Sequence, residues 1–182
     1  MRKLIVAEFI SLDGVVEAPE QWHFPYVDEA LQAGMWAVNA EIDTFLLGRV
    51  TYDTFAAAFA TAPADDPVAA ELNKPAKVVV SSSLRDPVWA KTTVIDGDSL
   101  EEGVRELKEQ SGSGILVNGS ITLVRSLLRA GLVDELHLLV HPILVGKGER
   151  LFPAEGDRVP LELVKHEVLD TGVTICRYRV AH

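Results

Sequence analysis

Cysteine is nearly missing: Cys176 stands alone in 182 residues. That excludes an intramolecular disulfide and any zinc site built on cysteines. Positive charge is also short. Lys and Arg number 17 against 27 Asp and Glu, for a formal net charge of −10. Such a chain repels DNA, RNA and anionic membrane surfaces, so an anionic ligand must be small and met by local basic groups and N–H donors. No apolar run approaches the length of a membrane span. Met1-Arg2-Lys3 leads straight into a short strand-like run, without the apolar region and cleavage site of a secretory leader. These absences lead us to expect a soluble, cytoplasmic protein. Internal repeats and low-complexity tracts are absent too. Hydrophobic residues make up 48% of the chain, enough at this length to bury a core in one domain over residues 1–182.

Patterning along the chain predicts an α/β protein. Residues 3–10 (KLIVAEFI) read as a buried strand, followed by a loop with Asp13-Gly14 as its turn signal. A helix is expected over 26–42, where Ala30, Leu31, Gly34, Met35 and Val38 form an apolar face. Strands follow at 43–47, 76–80, 92–95 and 115–117, and helices at 50–59, 99–110 and 120–129. Residues 60–75, rich in Ala, Pro and Asp, read as a loop. Gly131 suits the position just past a helix end. Late strands at 133–141, 161–169 and 173–180 have no helices between them, and Asp170-Thr171-Gly172 is a hairpin turn. Parallel crossovers first and antiparallel pairing at the end give a mixed central sheet with helices on both faces.

Three strand ends share a design of small or polar residues: Gly48-Arg49-Val50-Thr51, Ser81-Ser82-Ser83 and Asn118-Gly119-Ser120. In open α/β sheets, ligands bind beyond the carboxyl ends of strands. Two of these ends lead directly into helices, whose free N–H groups and partial positive charge suit phosphate. Gly119 allows close backbone approach, and Arg49 can fork two N–H donors onto a phosphate. Taken singly, Thr51 and Ser120 are ordinary helix caps. Taken together, one elongated phosphate ligand explains all three ends. Each charge-assisted bond contributes roughly 1.5–3 kcal/mol, so two or three hold a dinucleotide at micromolar strength.

The stretches LLGRVTYDTF, VVVSSSL and LVNGSITLVRSLLRAGLVDELHLLVHPILVGKGERLF, with the opening FISLDGVVE, resemble the dihydrofolate reductase-like fold. They are most similar to the RibD C-terminal domain family, whose type member is the reductase of riboflavin biosynthesis, and resemble its stand-alone members, without a deaminase half. The resemblance runs from about Lys3 to Tyr178. It implies NADPH as hydride donor and a small heterocyclic or sugar-imine acceptor, such as 5-amino-6-(5-phosphoribosylamino)uracil. By matching motifs, Gly48, Arg49 and Thr51 belong to the cofactor site, Arg49 and Thr51 holding its phosphates at the helix start, and Ser81 and Ser82 sit by the adenosine 2′-phosphate. Asn118, Gly119, Ser120 and Ile121 border the pyrophosphate. Asn118 stands where the family pattern has a first glycine, and Val50 where it often has a basic or polar residue. Homodimers are common in the family, and the apolar C-terminal strands offer an interface.

The proton source is less sharply marked. Asp28 falls near the first-helix acid of dihydrofolate reductase, although acids in a first helical turn also complement the helix dipole. Asp13 either lines the nicotinamide side or simply makes an Asp-Gly turn. Trp22, His23 and Phe24 form an aromatic wall for a flat ring, or core plugs. His137 and His141 share a strand face without a third metal ligand, which reads as packing or interface. Ser111–Gly114 (SGSG) precedes its strand, the wrong context for a dinucleotide loop. Lys147, between Gly146 and Gly148, is a solvated turn residue or an attraction for an anionic substrate. Alternatives to the riboflavin-type reaction are a dihydrofolate reductase-like activity and a non-catalytic NADP-binding or interaction protein.

Overall fold

The computed structural model describes residues 1–63, 65–152, 154–156 and 158–181. Eight strands form one sheet: β1 (Leu4–Ser11), β2 (Ile42–Gly48), β3 (Ala76–Val80), β4 (Thr92–Ile95), β5 (Gly114–Asn118), β6 (Glu135–His141), β7 (Leu161–Val168) and β8 (Thr174–Val180). Their order is β4-β3-β2-β5-β1-β6-β8-β7. From β4 to β6 every pairing is parallel. The strand β8 runs antiparallel to both β6 and β7. This is the mixed sheet that the alternation of strands and helices predicts.

Central strands are apolar on both faces because helices cover both. Leu4, Val6 and Ile10 of β1 and Leu46 of β2 pack with residues of α4 (Leu100–Glu109) and α5 (Ile121–Arg129). Ile5 and Ala7 of β1, with Phe45 and Leu47 of β2, meet Val38 of α1 (Glu29–Asn39) and Tyr52 and Ala56 of α2 (Arg49–Phe59). Successive strand side chains alternate faces, so each strand feeds two cores. Gly131 adopts a φ of 63° after α5. The bonds from Gly131 N–H to Leu128 O and from Leu132 N–H to Leu127 O close that helix as its glycine implies.

Two expectations need correction. The helix expected from residue 26 begins at Glu29, because Asp28 accepts the Leu31 N–H at 2.7 Å and caps it. Residues 24–26 are a 3₁₀ turn instead. The region 60–75 is not loop throughout: α3 (Pro67–Asn73) lies within it. Asp66 accepts from the Val68 and Ala69 N–H groups, and Pro67 occupies the first turn, where its missing N–H costs nothing. At the amino end of the sheet, Ser113 N–H donates to Asp43, which pairs with the buried Arg2. The SGSG stretch therefore belongs to the end of the sheet opposite the carboxyl ends of the parallel strands.

Candidate functional site

Parallel pairing brings six strand ends to one edge. In sheet order from β4 they are Asp96-Gly97, Ser81 to Ser83, Gly48 to Thr51, Asn118 to Ile121, Ser11 to Asp13, and His141. At a spacing of about 4.8 Å per strand the first four extend over roughly 14 Å. The carboxyl edge is thus long enough for an elongated ligand.

At its centre two helix starts are tied together. Gly48 N–H donates to Ser120 Oγ at 2.7 Å, and Ser120 Oγ donates to Thr51 Oγ1 at 2.8 Å. Ser120 does not cap α5 with its side chain. It joins α5 to the first turn of α2. Gly119 and Ser120 are both left-handed, with φ of 74° and 65°. A Cβ on Gly119 would stand 3.2 Å from Thr51 Cγ2, and one on Gly48 would stand 3.1 Å from Ser120 Oγ. The two glycines therefore permit the close approach of the helix starts. The first intrahelical bond of α5 is from Val124 N–H to Ser120 O, which leaves preceding N–H groups at the helix start for a ligand.

Arg49 extends along this edge. Its Nε lies 2.8 Å from Asp53 Oδ2, and its NH1 donates to Ser83 Oγ at 3.3 Å. The guanidinium thus spans from α2 to the end of β3. Ser81, buried, accepts from Ser83 N–H and Leu84 N–H and shapes its own turn. Ser82 Oγ donates to Asp96 at 3.1 Å and accepts from Gly97 N–H at 3.2 Å. Asp96 is held below the usual carboxylate range, first by the Asp98 N–H and then by Ser82. This acid escapes the sequence reading. It becomes visible only when β4 is paired beside β3. Arg85, donating to Ser82 O, offsets its charge.

On the other side of the centre, Asp13 accepts from Ser11 Oγ at 2.6 Å and from Gly146 N–H at 2.8 Å. These bonds, with Ser11 first, hold its carboxyl down at about 2, so it is ionised at neutral pH. It locks the turn before Lys147 to the loop after β1. Asp28 stands at the α1 start as its cap.

An aromatic cage surrounds His141. Phe9, Trp22 and Tyr26 meet its ring edge to face at centroid distances of 5.5, 5.2 and 5.5 Å. His23 stacks on Phe9 at 4.6 Å and lies 4.4 Å from the exposed Phe24. His141 Nδ1 lies 2.8 Å from Leu139 O, which fixes the proton there and makes Nε2 an acceptor. Both His141 Nε2 and His23 Nδ1 are buried without a hydrogen-bond partner among the described residues. Burial lowers the pKa of each. His137, buried at the other end of β6, bonds Glu135 at 2.9 Å. Among the described residues no group of three or more His, Cys, Asp or Glu is placed to hold a metal, and no helix is long and apolar enough to cross a membrane.

Comparison with known proteins follows the same lines. The RibD C-terminal domain profile matches residues 2–175. The chain belongs to the RibD C-terminal domain family. YyaP of Bacillus subtilis strain 168 is 29% identical over 178 residues, covering 94% of this chain and 92% of that protein. YwjB of the same organism is 26% identical over 154 residues, covering 83% of each. A solved structure of a proposed riboflavin biosynthesis protein from Shewanella sp. PV-4 superposes with a TM-score of 0.75 at 19% identity, over 99% of both chains. The Thermotoga maritima diaminohydroxyphosphoribosylaminopyrimidine deaminase/5-amino-6-(5-phosphoribosylamino)uracil reductase gives 0.70 at 16% identity, with 99% of this chain covering 57% of that one. A pyrimidine reductase-like protein from Corynebacterium diphtheriae gives 0.65 at 14% identity, over 100% of this chain and 92% of that chain. These likenesses carry the fold, and membership of the family is set by the match over residues 2–175.

The site residues fit a dinucleotide. Two helix starts meet at adjacent strand ends, two glycines keep that contact close, and one guanidinium spans the neighbouring groove. Glu8, buried in β1, accepts the Gly119 N–H at 2.9 Å from beneath. Sequence reasoning passes over it, although it is the one ionisable residue in an apolar strand.

Proposed function

We propose that this chain is an NADPH-dependent reductase acting on a small heterocyclic or sugar-imine acceptor, of the kind reduced in riboflavin biosynthesis, in the cytoplasm and as a homodimer. The observation that carries the reading is the Ser120 bridge between the starts of α2 and α5. It presents two sets of helix N–H groups side by side, and Arg49 is close by to neutralise phosphate. Arg49 and Thr51 would hold the phosphates, and Gly48, Asn118, Gly119, Ser120 and Ile121 would border them. Thr51 accepts from Ser120, so its own hydroxyl proton is free to donate outward. Ser81 and Ser82, with Arg85, would flank the 2′-phosphate, with Asp96 as the opposing charge. When bound, the nicotinamide supplies a hydride. Asp13 fixes the turn on that side of the edge, Phe24 and His23 offer a flat wall to the acceptor, and Asp28 is the acid assigned to proton delivery.

The test is a paired titration with NADPH and NADH, followed by energy transfer from tryptophan. NADPH is expected to bind at micromolar strength and more tightly than NADH. Arg49→Ala should weaken NADPH roughly 10- to 100-fold, the equivalent of one charge-assisted contact of about 1.5–3 kcal/mol. If neither nucleotide binds, the reductase reading fails.

A further inference from the structure

A buried carboxyl beneath a phosphate-binding loop is a contradiction unless the carboxyl has a task there. Glu8 is 5% exposed. Leu4, Val6 and Ile10, its neighbours on the same face of β1, belong to the apolar core shared with α5. Across the strand pairing, Leu138 stands beside it on β6. On the other side, pairing of Ala7 with Asn118 carries Glu8 to the level of Gly119, whose N–H its Oε1 accepts at 2.9 Å. The Gly119 amide is therefore turned inward, toward the protein. The next residue, Ser120, then enters the left-handed region despite its side chain, where it makes the bridge to Gly48 and Thr51. Glu8 holds one end of this turn and Ser120 holds the other.

We propose that Glu8 is the positioning residue of the 118–121 loop and that it does this in its protonated form, so that nucleotide binding is coupled to protonation of the Glu8 carboxyl. The inference rests on the dinucleotide reading of the loop. An ionised carboxyl would place a negative charge one peptide away from the bound phosphates. A neutral carboxyl keeps an acceptor for Gly119 without that repulsion.

The surroundings agree. Burial pushes the Glu8 pKa up to about 8, and the Gly119 N–H draws it back only in part. The neighbouring elements carry charges, but each has a partner other than Glu8. Arg125 of α5 pairs with Glu149, and Arg150 lies near Asp13. Glu17 accepts the Glu149 N–H, and Arg49 pairs with Asp53. Arg129 of α5 donates to Arg125 O. On β6, Glu135 bonds Lys3 and His137. His141 and His23 gather around Phe9, which points to the opposite face of the sheet. Lys77, lowered to about 8 by its own burial, titrates in the same range, but it belongs to the start of β3, away from the strand ends.

NADPH dissociation constants measured from about pH 7 to about pH 9.5 test the coupling. Wild-type affinity should fall about tenfold across that range, as binding comes to require uptake of a proton. Glu8→Gln keeps a neutral acceptor for Gly119 and retains any contribution from Lys77. It should bind as tightly as wild type at pH 7 and lose the Glu8-dependent weakening above it. Glu8→Leu removes the acceptor and should weaken binding about tenfold at pH 7, with faster hydrogen exchange at the Gly119 amide in the free protein. A pH profile unchanged by Glu8→Gln overturns the coupling. Unchanged affinity and Gly119 exchange in Glu8→Leu overturn the positioning. Wild-type protein that binds no nucleotide at any pH overturns the dinucleotide reading and this inference with it, a different result from binding that ignores Glu8.

Discussion

Glu8 makes a prediction that needs no ligand. Its folded-state pKa is raised from 4.5 to about 8 by burial. Between those values the folded protein holds a proton that the unfolded chain has released. This contribution to stability is therefore full below the lower value and is lost as pH rises toward the upper one. The limit is about 1.4 kcal/mol per pH unit. Urea unfolding at pH 5 and pH 8 should show wild type losing up to about 4 kcal/mol more than Glu8→Gln between the two. Equal losses in both proteins would mean that Glu8 is not protonated in the fold. The sequence contains a clue to this residue, because a charged side chain inside KLIVAEFI is seldom buried without a partner or a task. It does not show which task, since Gly119 lies 111 positions away. Asp96 and the acceptor nitrogen of His141 are hidden for the same reason. The strand ends that carry Arg49, Thr51 and Ser120 are legible because an apolar run closes at Gly48 and another at Asn118-Gly119, where local pattern alone marks a strand end.

Among the elements, strands and helices with a clear period read well, and the junctions are where geometry adds information. Residues 76–80 and 92–95 are β3 and β4 with the bounds that the sequence predicts. The small helix α3 is lost in an Ala-, Pro- and Asp-rich stretch, although Asp66-Pro67 is a cap followed by a first-turn proline. Ser120 looks like a cap in sequence but acts between helices. Removing its hydroxyl leaves the Gly48 N–H without its partner, at a cost of about 1–3 kcal/mol. Ser120→Ala should lower the melting temperature and weaken NADPH binding. Ser120→Gly separates the effects, since glycine accepts a φ of 65° without strain. It should recover part of the stability and little of the affinity. Melting curves and NADPH titrations on both variants measure this, and wild-type affinity in either one would show that the bridge does not shape the site.

For the whole molecule, the alternation of elements reveals a mixed sheet, yet not its strand order. β5 is inserted between β2 and β1 through contacts that no local pattern records. The same order leaves β7 at one edge. All eight of its residues are exposed, and Leu161, Leu163, Val164 and Val168 are between 41% and 66% accessible. Edge strands of monomeric proteins are usually short, charged or covered, because an apolar edge recruits other chains. Here the edge carries Glu162, Lys165 and Glu167, and a register shift between Leu163 and Lys165, but four of its eight side chains are exposed and apolar. A net charge of −10 repels copies at long range, so any pairing must be carried by close apolar contact. The proposed homodimer would use this surface, which burial against a second β7 would cover. Sedimentation equilibrium should give about twice the 19.8 kDa chain mass for wild type. Leu163→Lys with Val164→Lys, both at exposed positions where folding tolerates charge, should reduce it to a single chain with little change in melting temperature of the protomer. Wild type sedimenting as one chain, or a double variant that still pairs, would remove β7 as the interface.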